Sequence, residues 1–228
     1  MTDSQSISSN GHRLDGTLLD KPSETKELPR YERKKAQTRE RIYRAAMKLF
    51  AERGLAATTV DEIVAVADVA KGTFFNYFHS KEQIFGLFVE IQHGKLAKAI
   101  EEARKAEHSI HDVLRRVFQR LGMEVSSSPL LARALVAAIL GNDAARETVA
   151  AGMAEGRRLL AEILRLGQER DQITSNRSTR AMSLAFQEAL FGALVLWAIR
   201  PQASLATFLD ASFADYWTCI QARRGRSR

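Results

Sequence analysis

Residues 58–88 constrain the fold more than any other part of the chain, because they encode two short helices joined by a tight turn and followed by a third helix. The stretch reads TTVDEIVAVADVAKGTFFNYFHSKEQIFGLF. Thr59 followed three residues later by Glu62 has the spacing of a capping box, and Ser80 followed by Gln83 repeats it. Each pair predicts the start of a helix, so the stretch is typical of a helix-turn-helix that places one helix in a DNA major groove.

The groove-reading helix is predicted over residues 70–78, after a turn near Asp68. Phe74 and Phe78 are four residues apart and would face inward. The opposite face is small and polar, which suits hydrogen bonds to base edges and a close approach of the backbone. An ordinary solvated surface is the alternative interpretation of this polar face. The residues of this helix predicted to contact DNA are Lys71, Gly72, Thr73, Phe75, Asn76 and Tyr77.

Positive charge is concentrated in the helix that precedes this motif. Between Tyr31 and Phe50 the chain has seven Lys or Arg residues and two Glu residues. Such a run is often only a solvated helix surface, but next to a groove-reading motif it is expected to meet phosphates or a neighbouring minor groove. We also expect the Lys81 ammonium, in the first turn of the following helix, to bind a DNA phosphate. The DNA contacts predicted outside the groove-reading helix are Arg33, Lys34, Thr59 and Lys81.

Residues 39–88 are similar to the DNA-binding domain of the tetracycline-repressor (TetR) family of bacterial regulators. The matching residues are Phe50, Gly54, Thr58, Thr59, Val60, Ile63, Ala67, Val69, Gly72, Thr73, Tyr77, Phe78, Ser80 and Lys81. The resemblance implies an all-α protein, with an N-terminal three-helix helix-turn-helix domain and a C-terminal helical domain for ligand binding and dimerisation.

Three positions depart from the usual pattern of that family. Asp68 stands where the family usually has Gly, and Asp tolerates a left-handed turn better than most residues. Ala70 replaces Ser and gives up a helix cap worth about 1 kcal/mol. Phe75 replaces Tyr and lacks the hydroxyl, so we expect a family phosphate contact to shift to Tyr77.

The chain is predicted to have a flexible tail over residues 1–30, a helix-turn-helix domain over 31–80, and a helical effector-binding and dimerisation domain over 81–228. A long helix from Lys81 to about Glu107 would link the two domains. No strand alternation is visible. Further helices are predicted near residues 109–126, 129–140, 144–170, 178–199 and 203–223.

The last two predicted helices carry more apolar surface than one chain is expected to bury. Interior core is one interpretation, but a two-fold four-helix interface is favoured, and the resemblance implies a homodimer formed through these helices. The predicted interface residues are Leu184, Phe191, Leu205, Phe208, Leu209, Phe213, Trp217 and Ile220.

By resemblance, a small effector is expected among the middle helices. Many Ala residues between 132 and 161 favour an apolar or aromatic ligand, although each candidate can also be plain core. His108 and His111 lie three residues apart without a carboxylate cluster, so neither a metal nor another cofactor is expected. The candidate ligand-binding residues are Phe85, Phe88, Phe118, Met123, Leu140, Met153, Leu160, Ile163 and Trp197.

Composition limits the class of protein. A chain of 228 residues that is 45% hydrophobic can form one or two compact domains, and its net charge of +7 favours an anionic partner. With a single cysteine, no signal peptide and no apolar run of membrane-spanning length recognised, we expect the cytoplasm and no membrane partner. No H-E-x-x-H, G-x-S-x-G or P-loop motif occurs, so an enzyme is not expected.

The function predicted from the sequence is that of a homodimeric repressor that binds double-stranded DNA at a palindromic operator and is released by a small apolar or aromatic effector. Two alternatives remain open at this stage. One is a DNA-binding regulator that is gated by a protein partner, and the other is a transcriptional activator.

Overall fold

A computed structural model describes residues 29–123, 129–200 and 204–222, and these ranges are almost entirely helical. The all-α prediction is confirmed. Residues 1–28 of the predicted tail lie outside the described residues. The helices are α1 (Arg30–Arg53), α2 (Val60–Ala67), α3 (Lys71–Phe75), α4 (Ile84–Arg104), α5 (Ile110–Met123), α6 (Pro129–Gly141), α7 (Asp143–Glu169), α8 (Thr179–Ile199) and α9 (Leu205–Ile220).

Helices α1 to α3 form a three-helix unit, as predicted. Helix α1 ends at Gly54, where a φ of 81° turns the chain and the backbone N–H donates to the carbonyl of Phe50. The unit closes over a core of fully buried side chains contributed by all three helices and the following loop. These are Ile42, Phe50, Ile63, Phe74 and Phe78.

The local signals around α2 and α3 largely act as predicted. The capping box is confirmed, since the Thr59 hydroxyl accepts from the Glu62 N–H at 3.3 Å and the Thr59 N–H donates to the Glu62 carboxylate at 2.9 Å. Asp68 adopts the left-handed conformation expected of the turn (φ 52°, ψ 57°), and Ala70 precedes α3 without a side-chain cap. Helix α3 is shorter than predicted, although the N–H of Phe78 still donates to the carbonyl of Phe74.

The second predicted capping box is wrong. Helix α4 begins at Ile84, three residues after the predicted start, and Gln83 flanks it without a side-chain cap from Ser80. The side chain of Gln83 instead accepts a hydrogen bond from the His79 N–H at 2.9 Å. Tight backbone turns such as Ile84 N–H to Lys81 carbonyl occupy the residues that were expected to open the helix.

The remaining helices form a second bundle around α4 and α7, which pack against each other along their lengths. Helix α8 packs on α6, α7 and α9, and α9 also covers α5. Among the described residues, two helices therefore make the main connections between the bundle and the first three helices. Helix α4 continues the chain from them, and α6 packs directly against α1.

Helix α8 corrects one statement made from the sequence. Its 21 residues are long and apolar enough, by length and composition, to cross a membrane, although no such run was recognised in the sequence. In the folded chain, 44% of its most apolar window is buried. A core helix of a soluble protein meets the same criterion, because a helix surrounded by other helices is apolar on most sides.

Candidate DNA-binding and ligand-binding sites

Helix α3 presents the small polar face that the sequence predicted. Lys71, Gly72 and Asn76 are exposed, and a Cβ atom placed on Gly72 would meet no atom within 4 Å. Phe75 is 42% exposed, and its ring meets the buried Phe74 ring edge-on at 5.4 Å. An apolar ring and an amide therefore stand side by side on a surface open to a partner, a combination that can contact a thymine methyl and pair with base edges.

Thr73 and Tyr77 are partly buried and flank this face. Tyr77 packs against the core of the domain with part of its ring. Phe74 and Phe78 support the helix from inside, as predicted. A contact of Thr73 and Tyr77 with the DNA backbone stays a prediction.

Lys71 is held by an ion pair to the first turn of α2. Its Nζ lies 2.7 Å and 3.0 Å from the two carboxylate oxygens of Asp61, and both side chains are more than half exposed. Exposed pairs contribute about 0–1 kcal/mol, so Lys71 can exchange this partner for a DNA acceptor at low cost.

Lys81 has a different contact from the one predicted. It lies before α4, and its Nζ donates to the carbonyls of Leu55 and Thr58 at 2.7 Å each and to that of Ala56 at 3.3 Å. An ammonium group has three N–H donors, and all three are used here. Lys81 therefore ties the segment after α3 to the loop between α1 and α2 in the structure.

Thr59 is engaged in the cap of α2. Its hydroxyl donates to Glu62 at 2.9 Å, and Arg53 pairs with the same carboxylate. The hydrogen bond from the Thr59 backbone is the main reason that the pKa of Glu62 lies below its usual value. This network fixes the angle between α1 and α2, and through α2 it positions α3.

The basic face of α1 divides into two parts. Arg33 and Lys34 are exposed near its start, and a shallow depression along α1 includes Lys34, Arg41 and Arg44. Arg41 was part of the basic run but was not selected as a contact. It lies seven residues, about two helical turns, beyond Lys34, so both cations border the same depression and can meet a phosphate there. The depression also contains Glu40, whose carboxylate pairs with Arg44.

Arg39 faces away from that depression. Its guanidinium makes a two-pronged contact with Glu90 of α4 at 2.7 Å and 2.9 Å and lies 5.8 Å from the centre of the Phe78 ring. The hydrogen bond to Glu90 raises the pKa of Arg39 above its usual value. Arg39 thus joins α1, the end of the α3 turn and α4 in a single cluster.

A cavity of about 130 Å³ lies between α4, α6, α7 and α8. Four of the predicted ligand-binding residues line it: Phe85, Phe88, Met153 and Leu160. These residues belong to the α4 and α7 walls. No residue of the α6 and α8 walls was predicted to bind the ligand, and these walls consist of Ala132, Leu135, Val136, Ile139, Phe186, Gln187, Leu190, Phe191 and Leu194.

Five predicted ligand-binding residues lie elsewhere. Phe118 and Ile163 are fully buried outside the cavity lining, and Phe118 packs in an aromatic cluster with Phe186 at 5.0 Å. Trp197 is buried but does not line the cavity, whereas Met123 and Leu140 are 51% and 71% exposed. An apolar position on a helix shows that some face is covered, but it does not show which neighbour covers it.

The cavity has polar lining side chains that the sequence analysis did not select: Gln92, His93 and Gln187. Gln92 and His93 follow Phe88 and Val89 by one helical turn, so α4 periodicity could have indicated them. His93 Nε2 lies 2.9 Å from the carbonyl of Gly152, which makes this nitrogen the protonated one because a carbonyl only accepts.

Most of the predicted dimer residues are already covered within one chain. Leu205, Leu209, Phe213 and Ile220 are 0–5% exposed, because the stripe on α9 packs against α5 and α8. Phe191 lines the cavity, and Phe208 and Trp217 are partly buried. Only Leu184 is clearly exposed, at 46%. The sequence analysis missed Leu196 and Ile199 of α8, which are 59% and 66% exposed.

His111 packs against aromatic side chains of α9. Its ring lies 4.9 Å from that of Trp217 and 5.4 Å from that of Phe213, and Nδ1 is 3.0 Å from Asp112. Within residues 29–123, 129–200 and 204–222, no group of three or more His, Cys, Asp or Glu side chains is arranged to hold a metal ion.

Comparison with known proteins agrees with this geometry. The model of the family "Bacterial regulatory proteins, tetR family" matches residues 42–87. The HTH-type transcriptional repressor Rv3405c of Mycobacterium tuberculosis is 35% identical over 95 residues, which cover 42% of this chain and 45% of the repressor. The matched stretch spans less than half the length of the curated relatives.

Similarity to solved structures covers most of both domains. FadR of Thermus thermophilus, a TetR-family repressor solved with lauroyl-CoA, is 29% identical with a TM-score of 0.58, over 83% of this chain and 98% of FadR. SmeT, the repressor of a multidrug efflux pump of Stenotrophomonas maltophilia, has a TM-score of 0.64 at 20% identity, over 82% of this chain and 91% of SmeT. The likeness to SmeT concerns the fold alone.

Proposed function

Since this chain is a helix-turn-helix transcriptional regulator of the TetR family, we propose that it is a repressor that binds a palindromic operator as a homodimer and releases it when a small molecule enters the cavity. The proposal combines a DNA-reading surface on α3 with an apolar cavity in the adjoining bundle. We also propose that it acts in the cytoplasm, where bacterial DNA lies.

One observation carries the proposal. Phe85 lines the cavity, and its ring also stacks on that of Phe50 in α1, with the ring centres 5.9 Å apart and the planes 8° from parallel. A ligand that presses on Phe85 therefore presses on the core of the three-helix unit. Glu90, five residues further along α4, pairs with Arg39 of the same unit, so displacement of α4 acts on two contacts at once.

The bundle provides a second connection through α6. This helix contributes Ala132, Leu135, Val136 and Ile139 to the cavity and packs against α1. A ligand that moves α4 and α6 in different directions would change the orientation of the three-helix unit. In a dimer, such a change alters the spacing of the two α3 helices, and operator half-sites set that spacing at about one helical turn.

The cavity supports a ligand-gated regulator over one that is gated only by a protein partner. A ligand-independent regulator has no need of an apolar cavity that is lined by the helix following its DNA-binding unit. FadR, which is 29% identical to this chain, was solved with lauroyl-CoA. This complex supports a small-molecule effector for this chain.

The test begins with selection of an operator from random double-stranded DNA. Fluorescence anisotropy of the selected operator then measures release by candidate ligands, and isothermal titration measures ligand binding with and without operator. By reciprocity, a ligand that weakens operator binding tenfold is itself bound tenfold more weakly by the DNA complex, a coupling of about 1.4 kcal/mol. Ligand binding that is indifferent to operator would refute the proposed release, and a reporter gene distinguishes repression from activation.

We propose that the dimer forms through the outward faces of α8 and α9. The exposed apolar residues of α8 are Leu184, Leu196 and Ile199. The outward face of α9 has small residues, including Ala211 and Ala214, which allow two helices to approach closely. A two-fold interface of this kind would cover the apolar surface and match a palindromic site.

Charged substitutions test this interface. Leu196→Glu should place a charge in the seam and yield monomers that keep their fold but lose operator affinity, as measured by analytical ultracentrifugation and anisotropy. Leu140→Glu, at a more exposed residue of α6, is the matched control and should remain dimeric. Phe213→Glu should unfold the chain, because Phe213 is 2% exposed within one protomer. Intact dimers of Leu196→Glu would refute the seam.

A further inference from the structure

The wall of the cavity restricts the charge of its occupant. The residues that line it, in the part of the chain that the structure describes, include no Lys, Arg, Asp or Glu. An ionised group that leaves water without a partner of opposite charge is strongly disfavoured. The cavity therefore suits a neutral ligand.

Two of the polar lining side chains are satisfied by the protein. Gln187 donates from Nε2 to the carbonyl of Met153 at 2.9 Å, and its Oε1 accepts from Arg157 at 2.8 Å. His93 uses Nε2 on the carbonyl of Gly152. These groups hold α7 against α4 and α8, and their bonded atoms are not available as donors to a ligand.

Gln92 differs from both. Its Oε1 accepts from the Lys95 ammonium at 3.2 Å, while its Nε2 is completely enclosed and is the buried side-chain polar atom without a hydrogen-bond partner among the described residues. The ammonium only donates, so it fixes the amide with oxygen toward Lys95 and NH₂ on the other side. A buried donor without an acceptor is costly. Because Nε2 has almost no accessible surface in this structure, the amide must turn toward the cavity when a ligand enters, and a ligand oxygen that then accepts from it recovers that cost.

The volume limits the size of the occupant. A dry protein cavity of about 150 Å³ binds a single benzene ring, and this cavity is of similar size, about 130 Å³. Phenylalanine side chains of α4 and α8, including Phe85, Phe88 and Phe186, offer ring edges and faces to such a molecule.

From these observations we propose that the effector is a neutral molecule of about one aromatic ring with one hydrogen-bond acceptor, a carbonyl or ether oxygen, that is bound by the side-chain NH₂ of Gln92. This inference rests on the proposed function, because it names the chemistry of the ligand that the regulator senses. Gln92 is then the residue that determines specificity, and the apolar wall supplies most of the affinity.

Matched probes test the assignment on the full chain. Acetophenone has the proposed ring and carbonyl, α-methylstyrene replaces the oxygen by CH₂ with nearly the same shape, and benzoate is an anion of similar size. Isothermal titration of the wild type should show acetophenone bound about tenfold more tightly than α-methylstyrene, with benzoate weaker still. The Gln92→Leu variant should bind acetophenone and α-methylstyrene alike.

The same variant separates a ligand-reading role from a structural one. Gln92→Leu removes an unpartnered buried donor and also the 3.2 Å contact between Oε1 and Lys95, whose ammonium keeps its bond to the Arg120 carbonyl. Without ligand, this variant should therefore melt close to the wild-type temperature or above it, whereas loss of a structural hydrogen bond of Nε2 would lower it. Gln92→Met, which keeps an unbranched side chain, should behave in the same way and guards against a shape effect of Leu.

Several results would overturn the inference. They are equal wild-type affinities for acetophenone and α-methylstyrene, benzoate binding as tightly as acetophenone, an unchanged preference in Gln92→Leu, or no binding of either neutral probe. Operator anisotropy in parallel tests the proposed function separately. If the probes bind in the expected order but never release operator, the ligand chemistry stands and the proposed release is refuted.

Discussion

Helix α7 approaches α4 closely at Gly152. A single added methyl group there tests whether the position of α4 controls operator binding. A Cβ atom at this position would lie 2.4 Å from Cγ1 and 2.7 Å from Cγ2 of Val89. Carbon atoms in contact prefer about 3.5–4.0 Å, so Gly152→Ala requires a separation of about 1 Å more. Val89 is β-branched and has one strongly preferred rotamer in a helix, so we expect α4 itself to move.

The size of the effect follows from two opposing terms. Overpacking of a core contact costs about 1–3 kcal/mol, while replacing a helical glycine by alanine gains about 0.5–1 kcal/mol. Gly152→Ala should therefore lower the free energy of unfolding by about 0–2.5 kcal/mol. Gly156→Ala is the matched control, because its Cβ would meet Leu96 at 3.6 Å, an ordinary contact, and should only gain stability.

Operator affinity without ligand should also differ between the two glycine variants. In the proposed mechanism the ligand acts by displacing α4, so Gly152→Ala should bind the selected operator more weakly than the wild type, and Gly156→Ala should bind it equally well. Urea denaturation and fluorescence anisotropy at constant salt give the two quantities. The double variant Val89→Ala with Gly152→Ala removes the clashing methyl groups and should recover operator affinity.

The reasoning fails if Gly152→Ala and Gly156→Ala change stability by the same amount, because the clash would then have no cost. It also fails if Gly152→Ala is less stable but binds operator normally. In that case the contact between α4 and α7 would serve the fold without influencing the DNA-binding unit.

Three further predictions concern the DNA-binding unit. Asn76→Ala should weaken specific operator binding by about 1–3 kcal/mol, through lost preference for one base position in each half-site. If selection from randomised operators gives the same preferred sequence for the variant and the wild type, Asn76 does not read bases. Glu90→Gln should lower the free energy of unfolding by no more than about 1 kcal/mol, because its pair with Arg39 is partly exposed. It should also reduce the ratio of operator affinities measured without and with ligand, and an unchanged ratio would contradict the role of this pair in release. Lys81→Met should lower the free energy of unfolding, measured in urea, by about 1–3 kcal/mol. The slope of log operator affinity against log salt concentration should stay unchanged, and a slope smaller by about one would instead assign Lys81 to a phosphate.

The DNA-binding unit was predictable because its signals are local. Thr59 and Glu62 form their cap within four residues, Gly54 ends α1 by its own backbone angle, and the spacing of Phe74 and Phe78 defines the inner face of α3. None of these features depends on distant parts of the chain. The length of α3 was overestimated, since the apolar spacing continues through the turn that follows it.

Long-range contacts account for what the sequence analysis missed. The apolar stripe on α9 predicted burial correctly, but Leu209 and Phe213 are buried against α5 and α8 of the same chain. Leu196 and Ile199 of α8 stay exposed, although the helix is apolar nearly all round. The contact of Lys81 with carbonyls 23 to 26 residues away was likewise invisible to local reasoning.

The small size of the cavity gives a physical reason for coupling between ligand and operator. A ligand shifts a conformational equilibrium only by its difference in affinity for the two states, so a molecule that fits without moving the walls releases nothing. Ligand pockets are commonly about 300–1,000 Å³, and this one is about 130 Å³. An occupant larger than this volume presses on the walls, and two of the walls are α4 and α6, the helices that contact the DNA-binding unit. In a series of ring compounds with growing substituents, release of operator should therefore begin only when the ligand exceeds the resting volume, even where smaller members bind.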